Sequence, residues 1–244
     1  MLDAARVVIT GAATGIGRAT AEATVAHGAR VALVDVNESA LESVVARLGP
    51  EAARAWLADV SVPSDVERAF DESVEWLGGL DAVFHAAGIM RGQGASLVDF
   101  PIDEWERVIA VNLSGSFLVA REAAKWMIPE GSGTIVLVAS GAGVIGPSGS
   151  IAYGASKGGV HGLSMTIASP LASHGIRVID VCPGLVDTPL FRRSLEEGAS
   201  NRGVSYIPES VETLGAIRPE SVAELMVLLL SDAARELKGS IFTN

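Results

Sequence analysis

The sequence predicts an α/β fold in which a doubly wound, parallel sheet of about seven strands lies between two layers of helices. Three observations carry this expectation. Short β-branched runs alternate with longer helical stretches along the whole chain, without a repeat, low-complexity tract or linker-like segment, and such alternation builds parallel sheets with right-handed crossovers. A glycine-rich turn separates the first strand from the first helix. The polar residues Thr10, Asp35, Asp59, His85, Ser140 and Cys182 all fall at the carboxyl ends of expected strands, the edge at which such sheets bind ligands.

Taken in order, Arg6 to Thr10 (RVVIT) is apolar without alternation, as a strand buried on both faces should be. A helix follows from Arg18 to His27, ending at Gly28, where a glycine suits the left-handed cap. Next come strand Arg30 to Asp35, helix Glu38 to Leu48, strand Ala53 to Ala58, helix Ser64 to Leu77 and strand Leu80 to His85. One long helix is expected from Ile102 to Met127, then strand Thr134 to Ala139, helix Ile151 to Ser173 and strand Arg177 to Cys182. Pro170 lacks an amide hydrogen and should bend or end its helix. An irregular acidic region runs through Glu212, before helix Pro219 to Ser231 and a last strand, Ser240 to Thr243.

Length and composition bound the function classes. With 244 residues, 49% of them hydrophobic, and a mean hydropathy of +0.38, the chain is expected to form one domain over residues 1–244. A net charge of −11, with no Lys/Arg cluster beyond Arg192-Arg193, argues against nucleic acid and against an anionic membrane as partner. The lone Cys182 excludes an intrachain disulfide, and the four histidines (27, 85, 161 and 174) lack metal-ligand spacing, so no metal is expected. No apolar run approaches the roughly 18 residues of a membrane span, and the expected location is the cytoplasm.

The first strand opens into TGAATGIG, with Gly11, Gly15 and Gly17 ahead of the helix. Glycines here permit a sharp turn and a close approach of ligand to backbone, while the unpaired N–H groups of a helix start suit a pyrophosphate. Their spacing is G-x-x-x-G-x-G rather than G-x-G-x-x-G. At the end of the second strand Asp35 stands where a carboxylate accepts from an adenosine ribose diol and repels a 2′-phosphate. As a bare residue it reads equally as a cap for the next helix, but the glycine turn ahead of it favours the ribose role.

Farther along, Tyr153 and Lys157 stand four apart, so on a helix they share one face about one turn apart. A fixed ammonium there favours the phenolate and suits the tyrosine to acid or base work. Ser140 ends the apolar run Thr134 to Ala139 and adds a hydroxyl. Alone, the pair is an ordinary helical pair and Ser140 an ordinary turn residue.

Together these residues resemble a compact short-chain dehydrogenase/reductase, and the resemblance runs from Arg6 to the last residue. Thr10 to Gly17 is similar to the family's cofactor turn on its Rossmann-type sheet, with Gly11, Thr14, Gly15, Ile16 and Gly17 as contacts. Asp59 and Val60 match the pair that meets the adenine, and His85, Ala87 and Gly88 belong to the turn that follows the fourth strand. Asn112, Ser140, Tyr153 and Lys157 match the catalytic tetrad, and Pro183, Gly184, Val186 and Thr188 the segment that holds the nicotinamide amide.

By this resemblance Tyr153 is the acid/base, Ser140 steers the substrate oxygen, Lys157 holds the phenolate and Asn112 anchors a water linking Lys157 to solvent. The implied activity is NAD-dependent interconversion of a secondary alcohol and a ketone. Leu190 and Phe191 are expected substrate contacts in a variable lid at about 187–212, which also carries Tyr206 and Ile207. The alternatives are an NADP-dependent 3-oxoacyl-thioester reductase, which Asp35 and the acidic charge oppose, and a dinucleotide-binding protein without turnover. Relatives pair their two long helices across a two-fold axis. The small residues Ala110, Gly115, Ala120, Ala124, Ala155, Gly158, Gly159 and Gly162 therefore suggest a homodimer or homotetramer.

Three departures stand out. The usual N-N-A-G reads His85-Ala86-Ala87-Gly88, so the bracing amides are missing. Ile179 replaces the family's asparagine before Pro-Gly, and the chain stops at Ile241-Phe242-Thr243-Asn244, ahead of the D-G-G that often follows.

Overall fold

In the computed structural model, which describes residues 2–206 and 210–243, seven parallel strands form one sheet. The elements are β1 (Arg6–Thr10), α1 (Gly15–Ala26), β2 (Arg30–Asp35), α2 (Glu38–Leu48), β3 (Ala53–Leu57), α3 (Pro63–Leu77), β4 (Ala82–His85), α4 (Ile102–Ile109) and α5 (Gly115–Glu130). After them come β5 (Gly133–Val138), α6 (Ile151–Ala172), β6 (Ile176–Cys182), α7 (Pro189–Asn201), α8 (Ser210–Thr213), α9 (Pro219–Leu230) and β7 (Gly239–Phe242). The strand order is β3-β2-β1-β4-β5-β6-β7. It reverses between β1 and β4, and such a reversal opens a crevice beyond the carboxyl ends of the strands.

Alternation along each strand divides the apolar residues between two cores. Val7 and Ile9 join the core that α1, α2 and α9 cover, through Ala21, Leu41, Val44 and Met226. Val8 faces the other core, closed by Val66 and Phe70 of α3, Val119 of α5 and Val160 of α6. A side-chain period of two thus makes the expected three layers.

Most boundaries fall within two residues of expectation, and three differences have physical causes. Helix α1 starts at Gly15 rather than Arg18, because the glycine turn winds directly into it. The expected helix Ile102 to Met127 is interrupted by a π-turn over Ala110–Ser114. There the Ser116 hydroxyl donates to the Asn112 carbonyl at 2.6 Å, while the Asn112 side chain is drawn to Ile89, a local insertion of the kind that widens a helix.

The region read as irregular after Cys182 instead contains α7. Thr188 caps it by accepting from the Phe191 N–H at 3.2 Å, and Pro189 occupies its first turn, both recognised helix-start devices. Helix α6 runs through Pro170 and ends two residues later. Of the lid residues, Ile207 lies outside the described residues.

Candidate active site

A cleft of about 520 Å³ runs along the carboxyl edge of the sheet. Every residue expected to bind cofactor or substrate lines it, except His85 and Asn112, which are buried below.

Its first wall is the glycine turn. A Cβ on Gly17 would run into the Gly11 carbonyl, one on Gly11 would meet the Ala87 nitrogen at 2.5 Å, and Gly15 has a φ of +55°. Thr14, the residue before α1, offers no side-chain cap, so the opening N–H groups of α1 are not claimed by its hydroxyl. The turn therefore fits an anion lying against the backbone, as a pyrophosphate does.

Asp35 holds the next position. Its Oδ2 accepts from the Ala13 N–H and its Oδ1 from the Asn37 N–H, both at 3.0 Å. The cap of α2 is Asn37, whose Oδ1 accepts from the Ala40 N–H at 3.2 Å, so the reading of Asp35 as that cap is corrected.

Asp59 is already engaged. Arg107 of α4 pairs with its Oδ2 at 2.8 Å, and its Oδ1 accepts from the Ser61 hydroxyl and backbone. Burial pushes Asp59 up, but the hydrogen bonds from Ser61 and Arg107 outweigh it and hold the carboxyl below its ordinary value.

The remaining chemistry converges from β5, α6 and the π-turn. Ser140 follows β5, and Tyr153 and Lys157 lie on α6, which Ser150 caps by accepting from the Tyr153 N–H at 3.2 Å. Lys157 Nζ donates to the Val138 carbonyl at 2.6 Å and stands 5.7 Å from the centre of the Tyr153 ring. Tyr153 and Lys157 are 8% and 4% exposed. Such burial works against charge. It pushes the Tyr153 phenol above its ordinary value, with the Ser140 hydroxyl pulling back, and pushes Lys157 down to about 8. In the protein alone, then, the phenol is shifted opposite to the phenolate-favouring direction expected from Lys157, and burial is the cause.

Asn112 is fully buried, and its amide is committed. Oδ1 accepts from the Ile89 N–H at 2.8 Å, while Nδ2 donates to the Ile89 carbonyl and the Ser156 hydroxyl, each at 2.9 Å. Its side chain therefore braces the turn after β4, doing what the missing family amides do elsewhere. Gly88 lets that turn close, since a Cβ there would meet Asn112 Oδ1 at 3.4 Å and Lys157 Nζ at 3.6 Å.

His85 replaces the family's first asparagine and is 1% exposed, with Nδ1 2.6 Å from the Thr10 hydroxyl and Nε2 without a partner among the described residues. Burial, then the Lys157 charge, push it down to about 3. An unfolded histidine binds a proton below about pH 6.5 whereas this one does not, so stability should fall as pH drops from there toward 3. The contribution reaches about 1.4 kcal/mol per pH unit. His85→Asn should lose less stability between pH 7 and pH 4.5 than the unaltered protein, measured by urea midpoints. Equal losses would show that His85 titrates as an exposed histidine does.

Folding also gathers residues that sequence spacing did not connect. His161, Asp180 and Cys182 offer atoms all within 4.8 Å of one another. Asp180 is instead satisfied by His161 Nδ1 at 3.0 Å and the Ser240 hydroxyl at 2.8 Å. Burial, then Asp180, push the Cys182 thiol up to about 12, far from the thiolate a metal takes. Arg107 and Gln93 line the cleft and were missed. Arg107 lies 48 residues from Asp59 in sequence, so no local pattern marks the pair.

Architecture and cleft define a class, the oxidoreductases that bind a dinucleotide at the switch point of one doubly wound sheet. The chain belongs to the short chain dehydrogenase family, whose model matches residues 5–198. The 2,5-dichloro-2,5-cyclohexadiene-1,4-diol dehydrogenase of Sphingobium indicum is 36% identical over 98% of this chain and 94% of its own. The D-threitol dehydrogenase of Mycolicibacterium smegmatis is 34% identical over 98% of this chain and 90% of its own. Among solved structures, levodione reductase superposes with a TM-score of 0.91 at 30% identity, covering 99% of this chain and 96% of its own. The protein is therefore a dehydrogenase/reductase acting on alcohol- or ketone-type substrates, in a family that uses a nicotinamide dinucleotide. Among the described residues, no helix is long and apolar enough to cross a membrane.

Proposed function

We propose that the protein interconverts a secondary alcohol and its ketone with NAD(H), in the cytoplasm, where its single buried cysteine stays unpaired. The observation that carries the reading is the buried Ser140, Tyr153 and Lys157 at the floor of a cleft whose other end is the glycine turn and Asp35. A bound nicotinamide dinucleotide supplies or accepts the hydride.

The chain's own groups do the rest. Ser140 Oγ holds the substrate oxygen, and Tyr153 Oη takes its proton during oxidation and returns it during reduction. Lys157, held by Val138, stabilises the phenolate and binds the neighbouring ribose. Asn112 braces the Ile89 turn, and its main-chain carbonyl, which already accepts from the Ser116 hydroxyl, offers its second lone pair to a water linking Lys157 to solvent. Gly11, Thr14, Gly15, Ile16 and Gly17 cradle the pyrophosphate, Asp59 and Val60 flank the adenine, and His85, Ala87 and Gly88 shape the turn beside the nicotinamide ribose. Pro183, Gly184, Val186 and Thr188 receive the carboxamide. Met90, Leu185, Leu190 and Phe191 give the substrate end an apolar wall. That wall, together with relatives named for a cyclohexadienediol and for D-threitol, supports a small or medium, in part alicyclic, alcohol. A steady-state assay of NAD reduction against a panel of cyclic and acyclic secondary alcohols tests this. No turnover on any of them overturns it.

We also propose a homodimer or homotetramer. Among the small residues expected to face a partner, Gly115, Gly158 and Gly159 are spent within the chain, against Val60, Gly143 and Leu113. The support comes instead from Trp105, Phe117, Trp126 and Met165, which are 37%, 50%, 38% and 62% exposed on α4, α5 and α6. Light scattering at micromolar concentration should give at least twice the 25.1 kDa chain mass. A monomer mass sinks the proposal.

A further inference from the structure

Gln93 lines the cleft, and the chemistry above leaves it unused. The loop that carries it is clamped on two sides. The Gly92 N–H donates to the Glu197 carboxylate at 2.8 Å, and Asn201 Nδ2 donates to the Gln93 carbonyl at 2.8 Å, which ties the loop to α7. The Gly94 N–H donates to the Gly149 carbonyl at 2.8 Å, and the Ser150 hydroxyl to the Arg91 carbonyl at 2.5 Å, which ties it to the start of α6. The side chain lies in the slot between these anchors. A Cβ on Gly149 would collide with its amide, and one on Gly198 would meet its Cγ at 2.9 Å. Two glycines, one from each wall, make room for this one amide.

An amide placed with such restriction should have something to bind, yet Gln93 Oε1 is buried and has no hydrogen-bond partner among the described residues. Leaving a buried acceptor unpaired costs about 1–3 kcal/mol, which a ligand's hydroxyl would recover. Gly149 lies just ahead of Ser150, the cap of α6, four residues before Tyr153, so the amide sits beside the substrate end of the cleft, apart from the reacting phenol.

We propose that Gln93 reads a second oxygen on the substrate, remote from the carbon that reacts, and that the preferred substrates are therefore diols or hydroxyketones rather than mono-alcohols. A hydroxyl can donate to Oε1 and accept from Nε2, so a neutral polar group satisfies both ends of the amide. A site built to hydrogen-bond a hydroxyl discriminates against the analogue that lacks it far more strongly than an apolar pocket discriminates by size. The inference rests on the secondary-alcohol reading of the cleft.

The test compares kcat/KM with NAD for trans-cyclohexane-1,4-diol against cyclohexanol, and for 2,3-butanediol against 2-butanol, after a twofold correction for two equivalent hydroxyls. The unaltered enzyme should favour at least one diol over its mono-alcohol by about tenfold or more, chiefly through KM. In Gln93→Met, which fills the slot without an amide, that ratio should fall to within about twofold. If Gln93→Met does not fold, Gln93→Asn, which withdraws the amide by one methylene, carries the same expectation. An unaltered enzyme without diol preference in either pair, or a variant that keeps the full preference, overturns the proposal. Failure to turn over any of the four alcohols strikes the secondary-alcohol reading first and removes this inference with it.

Discussion

Tyr153→Phe lowers kcat by roughly 10²–10⁴-fold while leaving dinucleotide affinity within about twofold of the unaltered enzyme. The substitution removes one oxygen and keeps the ring that α6 buries, so the packing around it is retained. Its phenol acts mainly when charge develops on the substrate oxygen, and interactions made only in the transition state are lost from kcat rather than from binding. In the protein alone, burial pushes this phenol above its ordinary value, and it pushes Lys157 down to about 8. The phenol is therefore not pre-ionised in the protein alone, and the activation proposed for Tyr153 depends on the completed complex. Lys157→Ala should lower both turnover and cofactor affinity, since on the proposed mechanism one ammonium serves the phenolate and the ribose. Steady-state rates beside a fluorescence titration of cofactor separate the two variants. Wild-type kcat in Tyr153→Phe, where hydride transfer limits the rate, would remove Tyr153 from the mechanism.

On the proposed ribose role of Asp35, NAD should be preferred over NADP by at least about a hundredfold in kcat/KM, a ratio that corresponds to about 2.8 kcal/mol. The 2′-phosphate of NADP would bring about two negative charges to within a few ångströms of Asp35. At an effective dielectric of about 20, each like-charge pair near 4 Å costs on the order of 4 kcal/mol before relaxation and screening. Halving that still leaves the preference. The anchoring of Asp35 adds to this, since Ala13 and Asn37 hold its two oxygens and it cannot turn aside without breaking both hydrogen bonds. Val36 is 63% exposed beside it, so a longer side chain has room there. Replacing Asp35 with Ser and Val36 with Arg should narrow or invert the preference, by removing the repulsion and adding a guanidinium for the phosphate. Equal use of both cofactors by the unaltered enzyme would end the ribose assignment.

Much of the fold was legible because its signals are short-range. RVVIT and RVALVD are continuous apolar runs of strand length, and the glycine turn, Asn37, Ser150 and Pro219 mark helix starts within a few residues of themselves. Helix α7 was read as irregular although Thr188 and Pro189 mark its start, because the charged run after them masked its period. The π-turn was not legible, because its cause is the pull of Ile89 on Asn112 across 23 residues.

By itself, then, the sequence determined the parallel doubly wound sheet, the glycine turn at its first crossover, and the four-residue step that sets Tyr153 and Lys157 on one helical face. Periodicity and turn chemistry are properties of neighbouring residues, and they survive without knowledge of the rest of the chain. Only the tertiary structure decided that burial raises the phenol despite a lysine one turn away, that Asp35 is anchored by Ala13 and Asn37, that Asp59 is held by Arg107, and that Gln93 Oε1 lies between two glycines without a partner among the described residues. Each of those depends on which distant segments exclude water from a polar group or bring it a partner, and no local pattern encodes that.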